Sequence, residues 1–145
     1  MLSIFEKQDT FKILSYVTAL VYSALFLMLL FFPSYFLDDV GLQRSDSASF
    51  LSRRAAMLML GFAVLSFFGR NASHSIARQA IVLSIAVGMT GLATLGIFEF
   101  SRGFASAAIL QPVFVESTLA TAYFLLWLAG RQSVPGVAQE TVKSG

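Results

Sequence analysis

The chain predicts an all-α membrane protein, a four-transmembrane-helix up-and-down bundle, on three observations. Hydrophobic residues make up 57% and charged residues 12% of the 145 positions, with fifteen Phe and a positive mean hydropathy. A soluble domain of this size cannot cover that much apolar surface with so few charges. The apolar residues fall into four continuous runs, each near the ~20 residues that one helical crossing needs. None of the runs alternates polar with apolar at period two, so helices are expected rather than barrel strands. The connections are short, which makes sequential helices antiparallel neighbours within a single membrane domain spanning 1–145.

The first span is read over about 11–37. It follows a mixed-charge start with Glu6, Lys7, Asp9 and Lys12 and ends in Phe31, Phe32, Pro33, Ser34, Tyr35 and Phe36. That end lacks the small-residue cleavage site of a signal peptide, so the helix is expected to be retained. Its aromatics suit a membrane interface.

Asp38, Asp39, Gly41, Arg44 and Ser45 make a polar connection, with Asp46 or Ser47 expected to cap the second helix at about 47–69. Only fifteen uncharged residues separate Arg54 from Arg70. They give about 22 Å of helix against a hydrocarbon core of about 30 Å, so Arg53 and Arg54 must lie inside the helix.

A polar turn from Arg70 to Arg78 leads to the third span, about 78–99, whose small face holds Gly88, Gly91 and Gly96. Glu99, Arg102 and Gly103 close it. The fourth span, about 105–130, carries Gln111, Pro112 and Glu116, with Pro112 either starting or kinking the helix. The tail at 132–145 is polar, contains Pro135 and Gly136, and is expected to be mobile.

Basic residues set the expected orientation. Lys7, Lys12, Arg70, Arg78, Arg131 and Lys143 fall on one side; Arg44 and Arg102, with the embedded pair Arg53 and Arg54 and most of the Asp residues, fall on the other. The positive-inside rule then places both termini in the cytoplasm.

Glu116 is the most informative residue, because an ionisable group in a membrane span is costly and is retained for a structural or functional reason. Counting up from Arg70, Arg78 and Arg131 at about 1.5 Å per residue places Arg54, Glu99 and Glu116 in the outer third of the membrane. Arg53, Arg102, Gln111 and Ser34 join the same polar layer. Helical phase puts Arg54 on a face with Gly61, Glu99 on one with Gly96, Leu92 and Gly88, and Glu116 in a stripe with Ala120, Tyr123 and Trp127. The expected ligand or ion-pair candidates are therefore Arg54, Glu99 and Glu116, then Arg53, Arg102, Gln111 and Tyr123. For Arg53 and Arg102 the structural reading is snorkelling to the headgroups. For Arg54 and Glu116 it is a structural salt bridge or an interhelical hydrogen bond, with Glu99 as the expected partner.

Several chemistries have no residues to carry them. Cysteine is absent and His74 is the lone histidine, which removes thiolate and multi-histidine metal sites. No catalytic motif is present, so no catalytic residue and no cofactor is assigned. The net charge of +2 does not suggest nucleic acid. Asn71, Ala72 and Ser73 match a glycosylation triplet that the expected cytoplasmic placement makes irrelevant.

The stretch Arg54-Ala-Ala-Met-Leu-Met-Leu-Gly61, the turn Glu99-Phe-Ser-Arg-Gly103 and Glu116 in the fourth helix carry a family likeness. Over residues 10 to 131 the chain resembles small four-helix bacterial membrane proteins of unknown function that are distantly similar to the DoxX-like group. The resemblance implies a bacterial inner (plasma) membrane bundle. DoxX-like members are linked to quinone or thiosulfate oxidation systems as accessory subunits, and this chain has neither a cysteine nor a cofactor motif for that role. The leading expectation is a non-enzymatic protein binding a small amphipathic molecule, a lipid or a partner helix through the outer polar layer. The alternatives are a small proton-coupled transporter and an accessory subunit of a membrane oxidoreductase complex. Expected partners are membrane lipids, further copies of the chain or a larger membrane complex.

Overall fold

The structure, a computed structural model, describes residues 2–131, with side chains described for residues 8–130. The tail at 132–145, expected to be mobile, lies outside the described residues. Helix α1 spans Leu2–Phe31, α2 Pro33–Asp39, α3 Asp46–Gly69, α4 Ile76–Ser101 and α5 Leu110–Arg131, with a 3-10 turn Ala107–Ile109 before α5. No strand occurs among the described residues. Four stretches are long and apolar enough to cross a membrane: Gln8–Phe31, Asp46–Gly69, Ile76–Ser101 and Ala107–Gly130.

The four long helices pack as two antiparallel pairs, α1 with α3 and α4 with α5, and the pairs meet mainly through α1 and α5. The residues that turn inward explain why. On α3 the buried or half-buried positions Ser52, Ala56, Met59, Ala63 and Ser66 recur every three or four residues, and α1 answers with Phe11, Ser15, Thr18, Tyr22, Leu25 and Leu29. The seam on α4 is Arg78, Val82, Ile85, Met89, Leu92 and Gly96; on α5 it is Val113, Glu116, Ala120, Tyr123, Trp127 and Gly130. This seven-residue period is that of a left-handed bundle. Ser, Ala and Gly at the contacts let backbones approach, which is how helices associate where lipid is as apolar as the core.

The register of the α4 and α5 pair can be read from two close approaches. Gly96 faces Val113 and Gly130 faces Gln79, positions that share one antiparallel alignment. It sets Glu116 opposite Ala93 and Glu99 opposite Leu110. Large side chains fill the middle of the bundle: Tyr22, Tyr123, Ile85 and Met89 are fully buried, and Phe62 stacks on Tyr22 at 5.2 Å between ring centroids.

The run read from the sequence as one helix over 11–37 is two helices. Phe32 breaks it with an extended φ and Pro33 begins α2, because Pro has no N–H to continue the ladder and is suited to a first helical turn. Phe31, Phe32 and Tyr35 are left exposed around this break, at the interface where aromatics are favoured. The cap of α3 is Ser45, one residue before the expected candidates, its hydroxyl accepting from the Ala48 N–H at 3.0 Å. Pro112 lies in the first turn of α5 and starts the helix rather than kinking it.

At the α2 end the two loops bind each other. Ser106 donates its N–H to the Val40 carbonyl at 2.8 Å and its hydroxyl to the Asp39 carbonyl at 2.9 Å. Gly41 takes φ 79° against Ser106, a close approach in the left-handed region that favours glycine. This contact ties the two helix pairs together above the space between them. At the opposite end Arg78 is buried, donating to Gln8 Oε1 at 3.1 Å with its guanidinium 4.2 Å from the Phe11 ring. Arg70 lies on the same end over the Tyr16 and Phe67 rings and donates to the Tyr16 hydroxyl at 2.9 Å.

Candidate functional site

Below the tied loops the helix pairs diverge and leave a cavity of about 750 Å³. Small side chains form part of its lining: Ala48, Ser52 and Ala55 on α3 and Gly96 on α4. Apolar groups from every helix line it, including Leu25 and Leu29 of α1, Leu37 of α2, Met59 of α3, Leu92 of α4 and Val113 of α5. Phe36, Phe104 and Ala105 also line it.

Three titratable side chains line this space: Glu99, Arg102 and Glu116. Glu99 and Arg102 sit at the rim as a pair within one helical turn, 3.7 Å apart. Glu116 lies deeper. In the α4 and α5 register it falls six residues further in than Glu99, about 9 Å along the axis, close to the level of Leu92, the innermost lining residue of α4. Half-buried there, it makes no hydrogen bond or ion pair among the described residues. Beneath it the Tyr22 and Tyr123 hydroxyls lie within electrostatic range of one another, and Glu116 within range of Tyr22. Tyr123 donates to Thr18 Oγ1 at 3.0 Å, a buried bond that joins α5 to α1.

The candidates from the sequence separate into distinct places. Glu116, Glu99 and Arg102 line one cavity, and the stripe Glu116, Ala120, Tyr123, Trp127 does turn inward. Arg54 is not brought to Glu116 or Glu99. It is exposed, 5.7 Å from the Phe50 ring, and makes no ion pair among the described residues. The reason lies on α3: Ser52 and Ala56 hold the seam, and a residue two positions from each points to the opposite side of a helix. Gly61, expected to mark the packing face of Arg54, opens onto empty space. Arg53, Gln111 and Ser34 are also exposed. The layer expected at one depth is therefore two levels. Glu99 and Glu116 are about 9 Å apart along the axis by register, well beyond ion-pair range.

The sequence reading missed Ser52, Ala55, Leu25 and Met59 as cavity residues and Thr18 as the partner of Tyr123. A readable signal existed, since Ser15, Thr18 and Tyr22 and the series Ser52, Ala56, Met59, Ala63, Ser66 keep the same three-and-four spacing. Among the described residues no three His, Cys, Asp or Glu side chains gather into a group that could hold a metal.

No family model, no curated protein and no solved structure matches this chain.

Proposed function

We propose that this integral membrane protein binds a small amphipathic molecule in the cavity between its helix pairs, without catalysing a reaction. The cavity itself carries this reading. It is a space of about 750 Å³ with an apolar wall and a few convergent polar groups, the usual make-up of a small-molecule site. A tightly packed bundle of this size has no structural need for such a space, since packing is what holds membrane helices together. The filled middle of the bundle, with Tyr22 and Tyr123 fully buried, favours binding over passage through the protein.

Ala55→Trp tests the reading by filling the cavity from α3. Native mass spectrometry of the gently extracted wild type is expected to show a bound molecule beyond random detergent and lipid adducts, and the variant is expected to lose it. Identical adducts on both proteins would defeat the proposal.

We further propose a bacterial inner-membrane location with both termini cytoplasmic, which puts the cavity in the outer leaflet. The support is the charge asymmetry, with Arg70 and Arg78 at the end opposite the cavity. Because the chain has no cysteine, single substitutions report without background. Gln43→Cys is expected to react with a membrane-impermeant maleimide in intact cells and Ser73→Cys only after permeabilisation. The reverse pattern would invert the topology.

A further inference from the structure

We propose that the cavity is selective for a compact lipophilic cation, an apolar body whose positive head docks on Glu116. This rests on the cavity reading above and adds the charge of the ligand. The charges that line the space leave one carboxylate over: Arg102 stands with Glu99 at the rim, and among the described residues no cation pairs with Glu116. The other described arginines are placed elsewhere. Arg44 pairs with Asp38 outside the bundle, Arg54 lies over Phe50, Arg53 is exposed, and Arg70 and Arg78 belong to the opposite end.

A carboxylate at this depth in a low-dielectric setting lacks the partner that offsets the cost of keeping it there. The fold supplies none, and a ligand cation would. The same group repels an anion. A bilayer phospholipid fits poorly, because its phosphate would be drawn in beside Glu116 together with any positive head. Phe36 and Phe104 among the lining residues bring aromatic rings, the side chains to which cations are attracted. The apolar wall takes the body of the molecule, so the site reads charge at one point and hydrophobicity everywhere else.

The test uses the full chain in a neutral detergent and three probes of related shape: tetraphenylphosphonium, uncharged triphenylphosphine oxide and tetraphenylborate. Wild type is expected to bind tetraphenylphosphonium about tenfold or more tighter than triphenylphosphine oxide, the scale of one charged contact, and tetraphenylborate weakest. Glu116→Gln is expected to abolish this preference. Glu116→Asp, which keeps the charge, should restore part of the preference. The ranking of probes on wild type needs no variant, so the proposal stays testable if Glu116→Gln fails to fold. Equal binding of cation and neutral probe by wild type, or an undiminished preference in folded Glu116→Gln, would overturn the charge assignment and leave the cavity reading intact. No binding of any probe, together with unchanged adducts on Ala55→Trp, would remove both. Preferential binding of phosphatidylcholine or phosphatidylglycerol from vesicles over tetraphenylphosphonium would overturn the cation in favour of a lipid.

Discussion

Tyr123→Ala is expected to destabilise the folded protein by about 3–5 kcal/mol, the range for emptying a buried aromatic site. Tyr123 is fully buried at the centre of the α5 seam and joins the cluster of Tyr22, Ile85, Met89 and Leu119. Lipid is as apolar as this core, so the helices are held by close packing and by interhelical hydrogen bonds rather than by exclusion from water. Truncation removes both at once: the ring contacts go, and the Thr18 hydroxyl loses the bond measured at 3.0 Å. Tyr123→Phe separates the two terms. It keeps the ring, and is expected to cost about 0.6 kcal/mol, the average for a hydrogen bond between membrane helices. Equilibrium unfolding in mixed micelles with increasing sodium dodecyl sulfate measures both variants. A loss below about 1 kcal/mol for Tyr123→Ala would show that the middle of the bundle is not packed as described. The same result would weaken the case for a cavity closed from below.

Gly96→Leu is expected to cost about 1–3 kcal/mol, the usual penalty of forcing extra volume into a packed contact. A side chain at this position runs into the Val113 side chain of α5, a β-branched residue with little freedom to turn away. The damage falls on the α4 and α5 register that sets Glu116 opposite Ala93. Gly91 provides the control. A Cβ there meets nothing within 4 Å, so Gly91→Leu is expected to stay within about 0.5 kcal/mol of wild type. Comparing thermal melting of the two purified variants decides the matter, and equal losses would contradict the placement of Gly96 at the closest approach. The small face of the third span is thus unequal in its roles: Gly96 lets α5 in, whereas Gly88 and Gly91 open onto free space.

The fold class was legible because it depends on one-dimensional quantities. Run length, charge scarcity and connection length are properties of the chain order, and a bilayer turns them directly into four helices. The inward stripe on the fourth helix was legible for a similar reason, since helical phase carries Glu116, Ala120 and Tyr123 to one face wherever that helix packs. The role of Arg54 was not. Its phase was judged from Gly61, but Gly61 faces open space, and the α3 seam is built instead from Ser52, Ala56, Ala63 and Ser66. Small size alone does not name the packing face when several small residues occupy different faces.

Sequence by itself determined that this chain forms four apolar helices, that charges are few, and that a carboxylate is embedded in the last of them. Which groups meet was decided only by tertiary structure. A helix fixes the direction of a side chain relative to its own axis, and the rotation and register of its neighbour depend on contacts such as Gly96 with Val113 and Gly130 with Gln79. The α3 seam of Ser52, Ala56, Ala63 and Ser66 turned Arg54 outward, while the α4 and α5 register stepped Glu99 to the rim and left Glu116 without a cation among the described residues at the inner end of a cavity. The salt bridge or interhelical hydrogen bond expected for Arg54 and Glu116 gave way to a carboxylate with no ion pair among the described residues, lining an apolar space.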